Sequence, residues 1–395
     1  MALDALPTHC PSPSATVTGD PSLLLTDTVL VTEAETFRGT LEVQGGRIIA
    51  IDRGGTAVAG AMRLDGAFLL PGLVDLHTDN FKRAIEPRTG ARVPGLAAMA
   101  AHDRETAASG VTTVLDALCL TDWDEDAARL DSLRQGVAAL RTLRGDLKAE
   151  HFLHLRVELP AEDILGAFER LAEEPGLRLV SLMDHTPGRK QFADIEHWRA
   201  LPWNRRRDAA ELARIEARFA AGAARAPANR RAVLARLAGG GIPLASHDDR
   251  TAAHVHEAAA DGITIAEFPV TIEAAEAARA EGMAILGGAP NIVRGGSHSG
   301  NVAVAELARQ GLLDALASDY VPNAMIEAMF RLHQAHGIAL ADACRMVSAT
   351  PARLVGLNDR GRLAVGLRAD LVAARWRAEG AALIDAVWRR GQRIA

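Results

Sequence analysis

From residue 71 to residue 358 the chain repeats one unit, a short apolar run followed by a helical stretch. Eight runs read as strands: Leu73–Asp79, Val111–Leu118, His151–Leu159, Leu177–His185, Ile242–His247, Thr264–Phe268, Ala284–Leu286 and Leu313–Asp319. Helical spacing lies between most of them, over Ala97–Ala108, Asp124–Leu143, Asp163–Glu173, Ala252–Ala260 and Ile272–Glu281. Strands alternating with helices bury their apolar faces best in an α/β architecture, and eight such units predict a (β/α)8 TIM barrel. An open doubly wound sheet is the alternative, but no Gly-x-Gly-x-x-Gly turn follows an early strand.

A barrel takes roughly 250 residues, and this chain has 395. The surplus is β-rich and sits at both ends. Thr28–Thr32, Gly39–Val43, Arg47–Asp52, Met62–Asp65 and Phe68–Leu70 read as short strands with glycine turns between them, and residues 361–394 have the same character. Neither end holds enough strands for a core of its own. The expected division is therefore a small β-sandwich from residues 22–70 plus 359–395 and a barrel from 71–358. Residues 1–21 lack a basic start and a long apolar run, and are expected to be a loose tail and not a signal peptide.

The net charge of −6 gives no basic field for nucleic acid, and no run approaches the ~20 apolar residues of a membrane span. Cys10, Cys119 and Cys344 form neither a metal spacing nor a disulfide framework, so a reducing, cytoplasmic setting is expected. A homo-oligomer remains open.

The polar residues at strand ends carry the chemistry. In Leu73-Val-Asp-Leu-His-Thr-Asp79, His77 and Asp79 are two apart and share a face. Glu158, His185, His247 and Asp319 end the third, fourth, fifth and eighth strands. The C-terminal strand ends are where a parallel barrel keeps its active site. A lone histidine there is ordinarily a satisfied polar group, but six potential ligands on one rim are hard to assign to chance. Imidazole and carboxylate donors without thiolate suit zinc, manganese or a related ion. Six exceed the need of one tetrahedral ion, so two divalent metals sharing Glu158 is the economical expectation.

Two further stretches invite a phosphorylated small molecule. Arg294-Gly295-Gly296-Ser297-His298-Ser-Gly-Asn301 joins a cation, hydroxyls and close backbone approach to a helical pattern at Val302–Arg309, as phosphate binding requires; a tight turn with Asn301 as helix cap is the plain alternative. Lys190 and Arg189 follow His185 and could meet phosphate, or be solvated. Gln191–Leu237 is long, helical and locally basic, either a solvated surface or a cationic lid. Asp248 and Asp249 either orient an imidazole or cap a helix at Thr251.

The Pro71-Gly-Leu-Val-Asp-Leu-His77 start, the sheet built from both ends and the strand-end aspartate resemble the amidohydrolase superfamily. His77-Thr-Asp-Asn80, Met183-Asp-His-Thr-Pro-Gly188, Ser246-His-Asp-Asp249, Glu267-Phe-Pro269 and residues 288–301 with 317–322 resemble the family of diphosphatases of the carbon–phosphorus lyase pathway, which act on a ribose 5-triphosphate. The resemblance implies a metal-dependent hydrolase releasing diphosphate. It implies one metal on His77, Asp79 and Asp319, a second on His185 and His247, Glu158 as the bridge, and Asp319 as general base. Phe81-Lys82-Arg83-Ala84 departs from that family's pattern, as does Asp79 from the superfamily's usual His-x-His. Amide or lactam hydrolysis on the same metals is the runner-up. A scaffold protein is the non-enzymatic alternative, and the full ligand set argues against it.

Overall fold

The computed structural model describes residues 22–121, 128–162, 164–201, 204–297 and 300–395. Eight parallel strands, Leu73–Thr78, Val111–Leu120, Glu150–Glu158, Leu177–Met183, Leu244–His247, Ile265–Glu267, Ala284–Gly288 and Ala315–Ala317, pair in sequence order. A parallel bridge between Thr78 and Asp319 joins last to first, with Asp319 N–H donating to the His77 carbonyl (2.9 Å) and Asp79 N–H to the Asp319 carbonyl (2.7 Å). All eight expected strands are present, each within a few residues of its predicted bounds. Leu115, Leu179, Ala245, Ile265, Leu286 and Ala315 pack into a common cluster low in the barrel. At the two-residue strand period, His247 follows Ala245 and Glu267 follows Ile265, so the apolar layer supports the polar rim.

The helices match their patterns. Gly95–Ala108, Leu165–Leu171, Ala252–Ala260 and Ile272–Ala280 are observed, and the Asp124–Leu143 pattern yields Ala128–Leu143, its first residues lying outside the described ones. After the fourth strand the basic region folds as a short helix, Ile195–Ala200, against a long one, Ala209–Leu237. A capping box between Asp208 and Glu211 starts the long helix. Trp198 meets Phe219 edge-on and Arg199 forks onto Glu216, holding the hairpin together. Arg225 pairs with Glu162, Arg230 with Asp261 and Arg236 with Glu169 and Glu173, so part of its charge is spent on neighbouring segments.

The chain ends build the second sheet. Leu23–Val31, Thr36–Gln44, Arg47–Arg53, Met62–Arg63 and Phe68–Pro71 join Leu371–Arg377, Ala381–Arg389 and Gln392–Arg393 in one mostly antiparallel ladder. It encloses Leu25, Leu41, Ile48, Leu69, Leu371 and Trp388. Gly72 is the joint between sheet and barrel: its N–H donates to the Asp370 carbonyl, and a Cβ there would clash with the Thr112 side chain. No helix among the described residues is long and apolar enough to cross a membrane.

Candidate active site

Strand ends converge on a cavity of about 410 Å³ lined by His77, Asp79, Arg156, His185, Gln191, His247, Asp248, Phe268, Asp319 and Tyr320. Five of the six expected ligands are on that wall. Asp248, Phe268 and Asp319 have φ of 53°, 56° and 54°. Non-glycine residues rarely adopt this left-handed conformation, and it concentrates at functional sites. Here it turns the chain at the barrel mouth.

Three imidazoles are anchored in the same way. Glu267 accepts from His77 Nδ1 at Oε1 (2.8 Å) and from His247 Nδ1 at Oε2 (2.6 Å), and Ser181 Oγ donates to Oε2 as well (2.8 Å). Glu158 accepts from His185 Nδ1 (2.6 Å) and from its backbone N–H (2.8 Å). With Nδ1 held by a carboxylate, each ring presents Nε2 to the cavity, the arrangement in which outer carboxylates orient metal-binding histidines. His185 Nε2 and His247 Nε2 lie 3.7 and 3.4 Å from Asp248 Oδ2, and His77 Nε2 lies 3.7 Å from Asp79 Oδ1.

Two donor groups result, His185 with His247 and Asp248, and His77 with Asp79 and Asp319. Each mixes imidazole nitrogen and carboxylate oxygen on one cavity, a set that fits a divalent transition metal. Glu158 is absent from both groups: its two oxygens are engaged by His185 and it does not line the cavity. Its contacts are those of a carboxylate that aims an imidazole, and Asp248 stands where the second group needs an oxygen.

The charges are strongly coupled. Burial first, and the neighbouring Asp79 carboxylate second, push the Asp319 carboxyl up to about 7. Burial also opposes ionisation of Asp79, but the Arg156 guanidinium and His77 more than offset it and hold Asp79 well below the usual carboxylate range. Burial works against a charged His185, yet Glu158 and Asp248 raise it to about 9. Any cation bound at these nitrogens therefore displaces protons.

The expected phosphate contacts are placed differently. Lys190 Nζ donates to the His247 carbonyl and to Asp249 Oδ1, both at 2.9 Å, which fixes the segment beside Gln191 at the cavity edge. Thr251, not an aspartate, caps the helix from Ala252. The Arg294–Asn301 loop follows a helix instead of only preceding one: Ala289–Arg294 ends at left-handed Gly295, so the loop leaves a helix C-terminus. The next helix is the six-residue Val304–Arg309, and Asn291 Oδ1, not Asn301, accepts from Val304 N–H. Exposed Arg294 donates to the Tyr320 hydroxyl (3.2 Å) at the mouth. Gly296 and Ser297 lie in the loop away from the cavity wall, and His298 lies outside the described residues.

Arg156 and Glu267 were not foreseen. His154, Arg156 and Glu158 share one strand face, so the parity that placed Glu158 also placed the arginine. Glu267 is the register partner of His247 across the fifth and sixth strands, a relation visible only once the sheet is assembled.

This architecture, a parallel barrel carrying its donors on the strand ends and a sheet made from both termini, agrees with the family match over residues 68–392, and the chain belongs to the amidohydrolase family. It is 44% identical over 378 residues, 94% of this chain and 100% of the relative, to alpha-D-ribose 1-methylphosphonate 5-triphosphate diphosphatase of Escherichia coli K12. Similar folds include N-acetyl-D-glucosamine-6-phosphate deacetylase of Mycobacterium smegmatis (TM-score 0.63, 20% identity, 95% of this chain and 99% of that one). Another is 5-methylcytosine deaminase of Klebsiella pneumoniae (TM-score 0.62, 17% identity, 94% and 99%).

Proposed function

We propose that the chain is a metal-dependent diphosphatase that hydrolyses alpha-D-ribose 1-methylphosphonate 5-triphosphate to the 5-phosphate and diphosphate, in the cytoplasm and in phosphonate catabolism. The observation that carries the reading is the full-length 44% identity to a diphosphatase of that substrate. The strand-end donors and the Arg156 guanidinium on the cavity wall support it.

In this reading His77, Asp79 and Asp319 hold one divalent ion and His185, His247 and Asp248 a second, zinc or manganese suiting both sets. A metal bound there would acidify water and offset charge on phosphoryl oxygens. Asp319 takes the proton of the attacking water at a carboxylate oxygen. Water adds to phosphorus, the anhydride bond between the α and β phosphoryl groups breaks, and diphosphate leaves. Glu267 and Glu158 keep the three imidazoles aimed. Phe268, edge-on to His77 at 4.9 Å and to His247 at 5.7 Å, packs the wall beside them. Phosphorus NMR of the triphosphate with zinc-loaded protein tests the reading. Conversion to a phosphate monoester and diphosphate is expected. Release of orthophosphate alone, or turnover of amides with the triphosphate untouched, would overturn it.

A further inference from the structure

We infer that Arg156 binds the substrate's phosphoryl oxygens inside the cavity, the role the sequence suggested for Arg294 and Lys190. The inference deepens the diphosphatase reading and rests on it for the identity of the anion.

The cavity wall carries three carboxylates, Asp79, Asp248 and Asp319, which repel a polyphosphate. Among the described residues that line it, Arg156 alone has a permanent positive charge. Its side chain is only 13% exposed, so the charge is fixed in place on the third strand and not swung in from solvent. The competitors are committed elsewhere: Lys190 holds Asp249 and the His247 carbonyl, and Arg294 is on the exposed rim with Tyr320.

The donors of Arg156 are not all used. A guanidinium has five N–H groups. Nε faces Met183 Sδ at 3.2 Å, a weak acceptor, Nη1 donates to Asp79 Oδ1 at 2.7 Å, and Nη2 approaches His247 Nε2 at 3.4 Å. One N–H on each terminal nitrogen is left without an acceptor among the described residues, beside the donor groups. Arg368, buried for structure alone, contrasts with it: all three of its nitrogens meet carboxylate oxygens of Asp370 or Glu150, whereas in Arg156 only Nη1 does. Two N–H groups on a planar fork match two oxygens of one phosphoryl group. Asp79 holds the fork by one nitrogen, and the anion takes the remainder.

Arg156→Met and Arg156→Lys, loaded with zinc, test the inference by three readings: metal content, the dissociation constant for inorganic diphosphate, and kcat/KM on the triphosphate. Arg156→Met should weaken diphosphate binding by roughly 10- to 150-fold, the loss of a charge-assisted hydrogen bond, and lower kcat/KM by a similar factor at unchanged metal content. Arg156→Lys keeps the charge without the fork and should fall between. If both variants bind diphosphate like the wild type, or if binding falls only in proportion to lost metal, Arg156 merely supports Asp79 and His247 and the inference fails. Should Arg156→Met not fold, the lysine variant decides on the same criteria. A wild type inert on the triphosphate, whose diphosphate binding still depends on Arg156, would retire the diphosphatase reading and leave the anion site standing.

Discussion

Two clusters of histidine and aspartate lie on either side of the same barrel wall. One lines the cavity. The other faces outward, under the helix Gly95–Ala108, where Asp116 of the second strand accepts from His102 Nε2 (2.7 Å) and His151 Nδ1 (2.8 Å). His151 Nε2 continues to Asp103 Oδ1 (3.2 Å), and Asp103 also accepts from the N–H groups of Lys148 and Ala149. Both clusters bring together residue types that ligate metals. The outer one is closed: both Asp116 oxygens and both His151 nitrogens already have partners, the His102, Asp116 and His151 side chains are all buried, and none of them lines the active-site cavity. The inner one fastens each ring through Nδ1 and turns Nε2 to the cavity, where His247 Nε2 meets Arg156 Nη2 at 3.4 Å. Residue type is the same in both places, and the unspent donor beside a cavity separates a site from a structural fastener.

The largest separation should come from Asp319→Asn. It keeps the shape and removes the base, so kcat should fall by ~10²–10⁴ with the urea midpoint little changed. A loss below tenfold in steady-state assays would reject Asp319 as base. Asp116→Asn should do the reverse. Breaking one partner out of a buried charged network costs about 3–5 kcal/mol, read as a lower denaturation midpoint, while kcat per folded molecule holds. An intact midpoint would show that the outer cluster fastens nothing. Next comes Glu267→Gln, which leaves the fold but loosens two imidazoles; metal affinity should drop about 10- to 100-fold in a chelator competition. A variant that competes for zinc like the wild type would remove Glu267 from its orienting role.

The smallest effect is the pH profile of stability. Burial disfavours a charged His151, but Asp116 and Asp103 outweigh it and raise the ring from 6.5 to about 9. Its folded pKa lies above its unfolded one, so its contribution is complete below about 6.5 and is lost as pH rises through about 9. Asp116 and Asp103 are lowered, so theirs is present above the ordinary carboxylate range and lost on acidification. Unfolding titrations of the metal-free protein should therefore show a decline between pH 6.5 and 9 that is shallower in His151→Gln, the remainder coming from His185, which is also raised to about 9. The same alkaline slope in that variant would place its origin elsewhere.

The barrel was legible because its strands are apolar runs at regular intervals and its helices keep a helical period. His77, Asp79, His185, His247 and Asp319 were legible because each stops such a run. What one chain position cannot show is its neighbour across the sheet. Glu158 has the position of a ligand, and only the approach of His185 reveals the contacts of an orienting carboxylate. Glu267 was readable as part of a motif but not as the shared acceptor of two rings from other strands. Asp116 was a missed signal: a carboxylate inside the apolar run Val111–Leu118 must find partners when buried, and it finds two histidines. The loop at Arg294 was legible as the approach to a helix, which starts at Val304, but not as the end of another: glycine and serine content does not show that a helix has just ended, and Gly295 closes Ala289–Arg294.

Metal content in matched variants tests the central claim most directly. Purified wild type, His247→Ala and His151→Gln would be loaded with zinc, desalted and measured by plasma mass spectrometry, with circular dichroism to establish folding. The account predicts that His247→Ala loses metal relative to wild type and that His151→Gln, though less stable, retains the wild-type content. Full retention in His247→Ala, with loss in a folded His151→Gln, would put the metal in the outer cluster and contradict it.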